Sequence, residues 1–328
     1  MLPAGDWKKG VGLHSLSVDY SDSSLYATVR RGKILRIDDS SISVHAAICP
    51  SQCNGIQQCG RSLGLRFLSN SQSLLVTDAY LGVYSVPMTE GIPSKLFPTN
   101  DSFTFKFFDD SYLLPNSSAF ITEASTKNSL HDLWSVLLEG EASGSVMKSE
   151  AVSGLRFPNG VELHNDGKSI LVTETVKCRI LRVPLDGGKV TVFSDGLPGY
   201  PDNIKASPRG GYWVPVSTFS DSVMSRYIFS RIPKWPIVRY LLSKIIPLLP
   251  ASAVSGAGPT MLLRFDDEGN ITEIWKDYQN ELPGTTDIHE YNNTLYTGNF
   301  QLPYIGKLEM LPSQLTTESL KNLDGSKK

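Results

Sequence analysis

Apolar residues in this chain come in short alternating runs punctuated by glycine and asparagine, and the clearest set lies between Leu155 and Phe193. Phe157-Pro158-Asn159 leads in as a rigid loop, and Gly160 to His164 alternates as a short inner strand. Asn165-Asp166-Gly167 is a hairpin signal, because glycine accepts the positive φ of a tight turn. Ile170 to Glu174 is a buried β-branched run, Arg179 to Leu185 alternates again, and Asp186-Gly187-Gly188 turns the chain into Lys189 to Phe193. The pattern predicts four antiparallel strands.

The core of the second strand, Leu171-Val172-Thr173, has counterparts at Leu25-Tyr26-Ala27-Thr28, Leu75-Val76-Thr77, Phe120-Ile121-Thr122, Trp213-Val214 and Leu295-Tyr296-Thr297, at intervals of 50, 45, 51, 42 and 82 residues. Each is followed by a third-strand candidate: Gly32 to Asp38, Gly82 to Pro87, Leu133 to Leu138, Arg179 to Pro184, Met261 to Asp266 and Ile305 to Met310. A period in the forties with four strands per unit predicts an all-β, six-bladed β-propeller, one domain over residues 1–328. The long last interval reflects an interruption over 222–251, where Val223-Met224-Tyr227-Ile228 and Ile237-Val238-Leu241-Leu242-Ile245-Ile246 recur at helical spacing. Two short helices, broken at Pro233 and Pro236, are expected there as a lid over a pocket, an interfacial segment on an anionic membrane, or simple rim packing. Arg226, Arg231, Lys234, Arg239 and Lys244 are uncompensated by any acid in that stretch, which makes a membrane surface one candidate partner through residues 222–251.

Composition narrows the function. A net charge of −2 with interspersed signs gives no footprint for nucleic acid, and no apolar run is long enough to span a bilayer. Cys49, Cys53 and Cys59 crowd one loop where a short disulfide closes easily, while Cys178 is expected in a strand as a buried thiol. Glycosylation sequons at Asn100, Asn116, Asn270 and Asn292 fall in polar turns. Together these favour the secretory pathway, luminal, extracellular or membrane-associated, with the targeting segment absent from this chain; a cytoplasmic protein is the alternative. Met1 to Lys9 supplies no convincing outer strand for the last blade, so either the ring closes loosely or upstream sequence is missing.

In a propeller the loops leading into the inner strands converge on the channel. Counting back 11 or 12 residues from each anchor gives His14, Leu63, Asp109, Asn159 and Asp202, with Asn203 beside the last. Oxygens of aspartate and asparagine ringing an axis suit a hard divalent cation such as calcium, which takes several oxygen ligands in loose geometry. His14 is unusual for calcium and leaves open a transition metal, a general base, or a different register in the first blade.

Phe157-Pro158-Asn159-Gly160-Val161, the segment from Glu174-Thr175 to Cys178-Arg179-Ile180-Leu181-Arg182, Leu197-Pro198-Gly199-Tyr200-Pro201-Asp202-Asn203 and Gly210-Gly211-Tyr212-Trp213-Val214 resemble the strictosidine synthase-like family. Cys59-Gly60-Arg61, Thr77-Asp78-Ala79-Tyr80 and Leu137-Leu138-Glu139-Gly140 move the likeness toward its animal branch. The family is similar in fold to paraoxonases, which implies a calcium in the channel with a pocket above it. Asn159, Asp202 and Asn203 match its metal motifs, whereas His14 replaces its usual glutamate and Asp109 its usual asparagine. The resemblance places the glutamate of strictosidine synthase on Thr286 and the histidine of paraoxonases on Leu63, so neither chemistry carries over. It implies a weak arylesterase or lactonase on small hydrophobic esters, with the metal as Lewis acid and Asp202 or Asp109 as the catalytic base; a non-enzymatic binding or scaffold propeller is the competing class. The family's loop disulfide implies Cys49–Cys59. Asp78, Glu123 and Glu174, which follow the anchors, are expected to tie neighbouring blades together through backbone N–H groups, and His289-Glu290 to be a structural pair.

Overall fold

The computed structural model describes residues 12–19, 22–38, 41–68, 72–89, 91–100, 102–115, 118–139, 142–147, 152–217, 235–248, 260–300 and 302–310. Six antiparallel sheets follow one another along the chain. The first holds β1 (Leu16–Val18), β2 (Leu25–Val29), β3 (Lys33–Ile37) and β4 (Ile42–Ala47); the second β5 (Ser62–Leu68), β6 (Ser73–Asp78), β7 (Gly82–Pro87) and β8 (Ser94–Phe97). The third holds β9 (Phe107–Leu113), β10 (Ala119–Ser125), β11 (Gly144–Met147) and β12 (Val152–Leu155); the fourth β13 (Pro158–Leu163), β14 (Ser169–Glu174), β15 (Arg179–Pro184) and β16 (Thr191–Ser194). In the fifth the inner strand is split into β17 (Tyr200–Pro201) and β18 (Lys205–Ala206), both pairing β19 (Tyr212–Ser217), with β20 (Met261–Phe265) and β21 (Ile271–Lys276) outside. The sixth has β22 (Thr285–Tyr291), β23 (Thr294–Asn299) and β24 (Gly306–Glu309). This is a six-bladed β-propeller.

The core lies between adjacent blades rather than within any one. Leu171 and Ile180 of the fourth blade pack on Ile204, Tyr212 and Val214 of the fifth, all fully buried, and each such aliphatic side chain contributes roughly 1.5–3 kcal/mol by leaving water. The ring closes where the first blade meets the sixth. Asn299 N donates to Leu13 O at 2.6 Å, and the Arg61 guanidinium reaches Gly12 O and Phe300 O at 3.1 Å each.

Four of the inner strands break register near their first residues. Leu63, Asp109 with Asp110, Asn159 with Gly160, and Thr286 all sit where the ladder skips a pairing, and the split between β17 and β18 does the same for Asp202 to Ile204. Such bulges re-aim side chains out of the strand's alternation.

Several sequence expectations are corrected. Leu133 to Leu138 is not a strand: Leu133, Val136 and Leu137 recur at helical spacing, and helix α2 (Leu133–Glu139) forms, after α1 (Gly55–Cys59). The third strand of that blade is the glycine- and serine-containing β11 instead. Cys178 lies in the turn before β15 with φ of 50°, not in a strand. The disulfide joins Cys53 to Cys59, whose Cα atoms α1 brings to 5.2 Å, and Cys49 is a free thiol. Of the two helices expected in 222–251, the second is present as α3 (Pro236–Ile245), with proline at its first turn where no N–H is needed. The first, around Val223-Ile228, lies outside the described residues, as do Met1 to Lys9, Asn116, Arg226, Arg231 and Lys234, together with the Arg239 side chain.

Candidate metal centre

The second strand of every blade but the fifth carries a threonine, and in the third and fourth blades that threonine fixes the bulges. Thr122 Oγ1 accepts Asp110 N at 2.9 Å in its own blade and donates to Asn159 O of the next blade at 2.6 Å. Thr173 repeats this, accepting Gly160 N at 2.8 Å and donating to Asp202 O at 2.7 Å. The main chain of Asn159 and of Asp202 is therefore held from the preceding blade. Gly160 is required here for close approach, since a Cβ would meet Asn203 Cα at 2.6 Å. The anchors contained Thr28, Thr77, Thr122, Thr173 and Thr297, so the repeat was visible in the sequence while its role was not.

Asp109, Asn159 and Asn203 are buried, and Asp202 is half-buried. Among the described residues, seven buried side-chain nitrogen or oxygen atoms have no hydrogen-bond partner, and four of them are Asn159 Oδ1, Asp202 Oδ1, Asn203 Oδ1 and Asn203 Nδ2. Three oxygens left without protein donors at one place cost about 1–3 kcal/mol each unless something electropositive faces them. Burial, and then the charges of Asp202 and Asp110, push the Asp109 carboxyl well above the usual carboxylate range. Burial likewise pushes Asp202 up to about 8, opposed by a hydrogen bond from the Asn159 amide and reinforced by Asp287. Two mutually repelling carboxyls and two amide oxygens without donors are a donor set that fits a hard divalent cation. Among the described residues no three His, Cys, Asp or Glu side chains gather as ligands, because half of this set is asparagine.

His14 is placed differently. Its Nδ1 lies 2.9 Å from Leu63 O, which can only accept, so Nδ1 carries the proton and Nε2 the lone pair. The ring stands edge-on to Phe300, and burial followed by Arg61 depresses its pKa to about 3. His14 is thus a neutral imidazole turned toward Leu63, the position where the resemblance expected a histidine.

Around the ring, Leu63, Phe107, Val136 of α2 and Phe157 form one apolar cluster. α2 follows β10 and α3 follows β19, both second strands, so the two rise from the same end of the propeller, and they pack on one another. The carboxylates after the anchors act locally. Asp78 accepts Tyr80 N and Leu81 N at 3.0 Å, Glu123 accepts Lys106 N at 2.9 Å and Glu174 accepts Arg156 N at 2.8 Å. They bind backbone within their own blades, not across to neighbours. Glu290 receives Trp213 Nε1 and Ser207 Oγ at 2.6 Å, a structural role as expected.

Comparison with known proteins agrees with this architecture. The strictosidine synthase family model matches residues 113–187. An adipocyte plasma membrane-associated protein of Danio rerio is 30% identical over 306 residues, covering 87% of this chain and 72% of the relative. Strictosidine synthase-like 2 of Arabidopsis thaliana is 28% identical, covering 90% and 86%. The chain belongs to the strictosidine synthase-like family. Among solved structures it is similar in fold to a gluconolactonase of Xanthomonas campestris (TM-score 0.59, 12% identity, 92% and 87% covered) and to the calcium-binding protein regucalcin of Agrobacterium tumefaciens (TM-score 0.53, 17% identity, 88% and 84% covered).

Proposed function

We propose that this chain is a calcium-dependent propeller hydrolase acting on small hydrophobic esters or lactones. The observation that carries the reading is the set of buried oxygens of Asn159, Asp202 and Asn203 without protein donors, together with the Asp109 carboxyl, whose pKa burial and the charge of Asp202 raise. These four residues would hold the ion, which when bound supplies a Lewis acid for an ester carbonyl. Asp202, or Asp109, takes the proton of the attacking water once ionised. Leu63, Phe107 and Phe157 pack as a buried apolar cluster that keeps bulk water from this flank of the ring. His14, whose pKa burial lowers to about 3, stays neutral beside the Leu63 carbonyl and is a poor general base. The gluconolactonase likeness supports this reaction class.

The Cys53–Cys59 bridge and the exposed sequon asparagines Asn100, Asn270 and Asn292 support a luminal or extracellular site of action with glycans at those turns. Among the described residues no helix is long and apolar enough to cross a membrane. On α3, however, Ile237, Leu241 and Ile245 lie one turn apart and exposed, which supports contact with a membrane surface. The deciding experiment is hydrolysis of phenyl acetate by purified protein with and without chelator. Chelator-sensitive turnover is expected; turnover no greater than background leaves the binding-propeller reading.

A further inference from the structure

We propose that the opposite mouth of the channel is a second ligand site, one for small amphipathic carboxylates. The inner strands run from the oxygen ring down to a cavity of about 680 Å³. Asp109 lies at the head of β9 and Leu113 at its foot, so with four residues rising roughly 3.3 Å each the two sites are about 13 Å apart along the axis. The cavity is as large as those that enclose drug-sized molecules. Val18, Leu68, Leu113, Leu114 and Leu163 give it apolar walls, and Arg66, Glu162, Lys205 and His289 give it a polar base.

The hydrogen-bonding state of that base selects the ligand. The carboxylates in and beneath it are closed. Glu162 receives Arg66 Nη1, Ala206 N and Leu163 N at 2.7, 3.2 and 3.0 Å. Asp110 receives Arg66 Nη2, Val161 N and Ser111 N at 2.9, 3.2 and 2.8 Å. Asp287 receives Ser15 Oγ, Leu16 N and Ile288 N at 2.5, 2.9 and 3.0 Å. A donor capacity stays open. Lys205, whose side chain is 7% exposed, spends one of its three N–H groups on Leu65 O at 3.1 Å, and its nearest carboxylate, Asp287, is 3.8 Å away. A cationic ligand would find no free carboxylate and a hydroxyl accepts from Lys205 only as an uncharged group, whereas a carboxylate head gains a charge-assisted bond between opposite charges. Arg66, stacked 5.0 Å over the Tyr112 ring and saturated by Asp110 and Glu162, holds that base rigid. The apolar walls then take an alkyl or aryl tail.

The test is calorimetric titration with three molecules of one chain length, octanoate, octanol and octylammonium, below their micellar concentrations. Octanoate is expected to bind at least tenfold more tightly than the other two. Lys205→Met and Leu163→Trp, the first removing the donor and the second filling the wall away from the ion pairs, are each expected to weaken octanoate tenfold or more. Asp202→Asn is expected to leave octanoate affinity unchanged, which separates this site from the oxygen ring and from the fate of the hydrolase proposal. Equal binding of octylammonium, or full octanoate affinity in either folded variant, overturns the proposal. Should Lys205→Met not fold because Asp287 loses its nearest cation, Leu163→Trp decides alone.

Discussion

Two layers of the same channel, one residue apart at Asp109 and Asp110 of the third blade, are finished in opposite ways. The first residue of each bulge, Asp109, Asn159 or Asp202, presents oxygens with few or no donors, and Asn203 joins them. The second residue, Asp110 or Asp287, is saturated by backbone N–H groups and neighbouring side chains, with Arg66 spanning Asp110 and Glu162. Both layers are buried and acidic. The lower one is complete as protein; the upper one keeps oxygens that no protein donor meets, and this contrast separates the two layers more sharply than residue type does.

The largest effects should come from breaking each layer in turn. Arg66→Met strands two buried carboxylates and should destabilise the protein by about 3–5 kcal/mol in denaturant titration without altering the relative response to calcium. Asn159→Ala or Asp202→Ala should do the reverse: calcium's effect on melting temperature and chelator-sensitive turnover disappear, while metal-free stability changes little or rises. If Asp202→Ala retained a calcium-dependent shift, the upper layer would not be the cation site.

A pH series sharpens the comparison. Folding raises the carboxyl pKa of Asp109, and that of Asp202 to about 8, so each binds its proton more tightly folded than unfolded. The metal-free protein therefore loses stability as pH rises from the unfolded carboxylate range near 4 through about 8. Protons compete with the cation over that window, so the calcium-induced rise in melting temperature should grow from pH 5 to pH 8. Asp109→Asn should flatten the metal-free decline. A calcium shift independent of pH would contradict the assignment of both carboxyls to the site.

Much of this was legible in the sequence, because a repeat fixes phase: once the Leu-Val-Thr anchors were aligned, Asp109, Asn159 and Asp202 fell into one layer by counting. What stayed illegible depends on geometry that counting does not supply. Leu133 to Leu138 satisfied an apolar count for a strand, but its spacing is helical and the true strand β11 is short and half glycine and serine. Arg66, Lys205 and Asp287 carry no local signal of pairing, since they meet only when three distant blades close around the axis. Counting places His14 in the same layer, but only the Leu63 carbonyl sets which of its nitrogens is available.

The threonines that link the two layers should show an intermediate effect. Thr173→Val keeps the volume but removes the bond to Asp202 O and the acceptor for Gly160 N. With one buried N–H and one C=O left without that partner, a loss of about 1–3 kcal/mol is expected, together with weaker calcium binding because Asp202 is no longer held from the preceding blade. Thr77→Val, which loses its 2.5 Å contact with Ser111 Oγ away from the oxygen ring, should lower stability alone. Equal calcium affinity in the two variants would reduce the threonine array to scaffolding.

The smallest expected effect lies at the rim, where the disulfide tests whether anything outside the channel couples to it. The Cys53–Cys59 bridge has a sequence separation of 6, and a loop of that size contributes about 2 kcal/mol by restricting the unfolded chain. α1 precedes Arg61, whose guanidinium braces Gly12 O and Phe300 O where the first and sixth blades meet. Cys53→Ser should therefore lower the melting temperature and speed exchange of the Leu13 to Leu16 amides, while Cys49→Ser leaves both unchanged because that thiol is unbridged. His14 sits inside the loosened segment but the four oxygen-bearing residues do not, so calcium affinity should hold in Cys53→Ser even as stability falls. Peptide mapping that recovers Cys49 joined to Cys59 would reverse the assignment, and with it the order of the two serine variants.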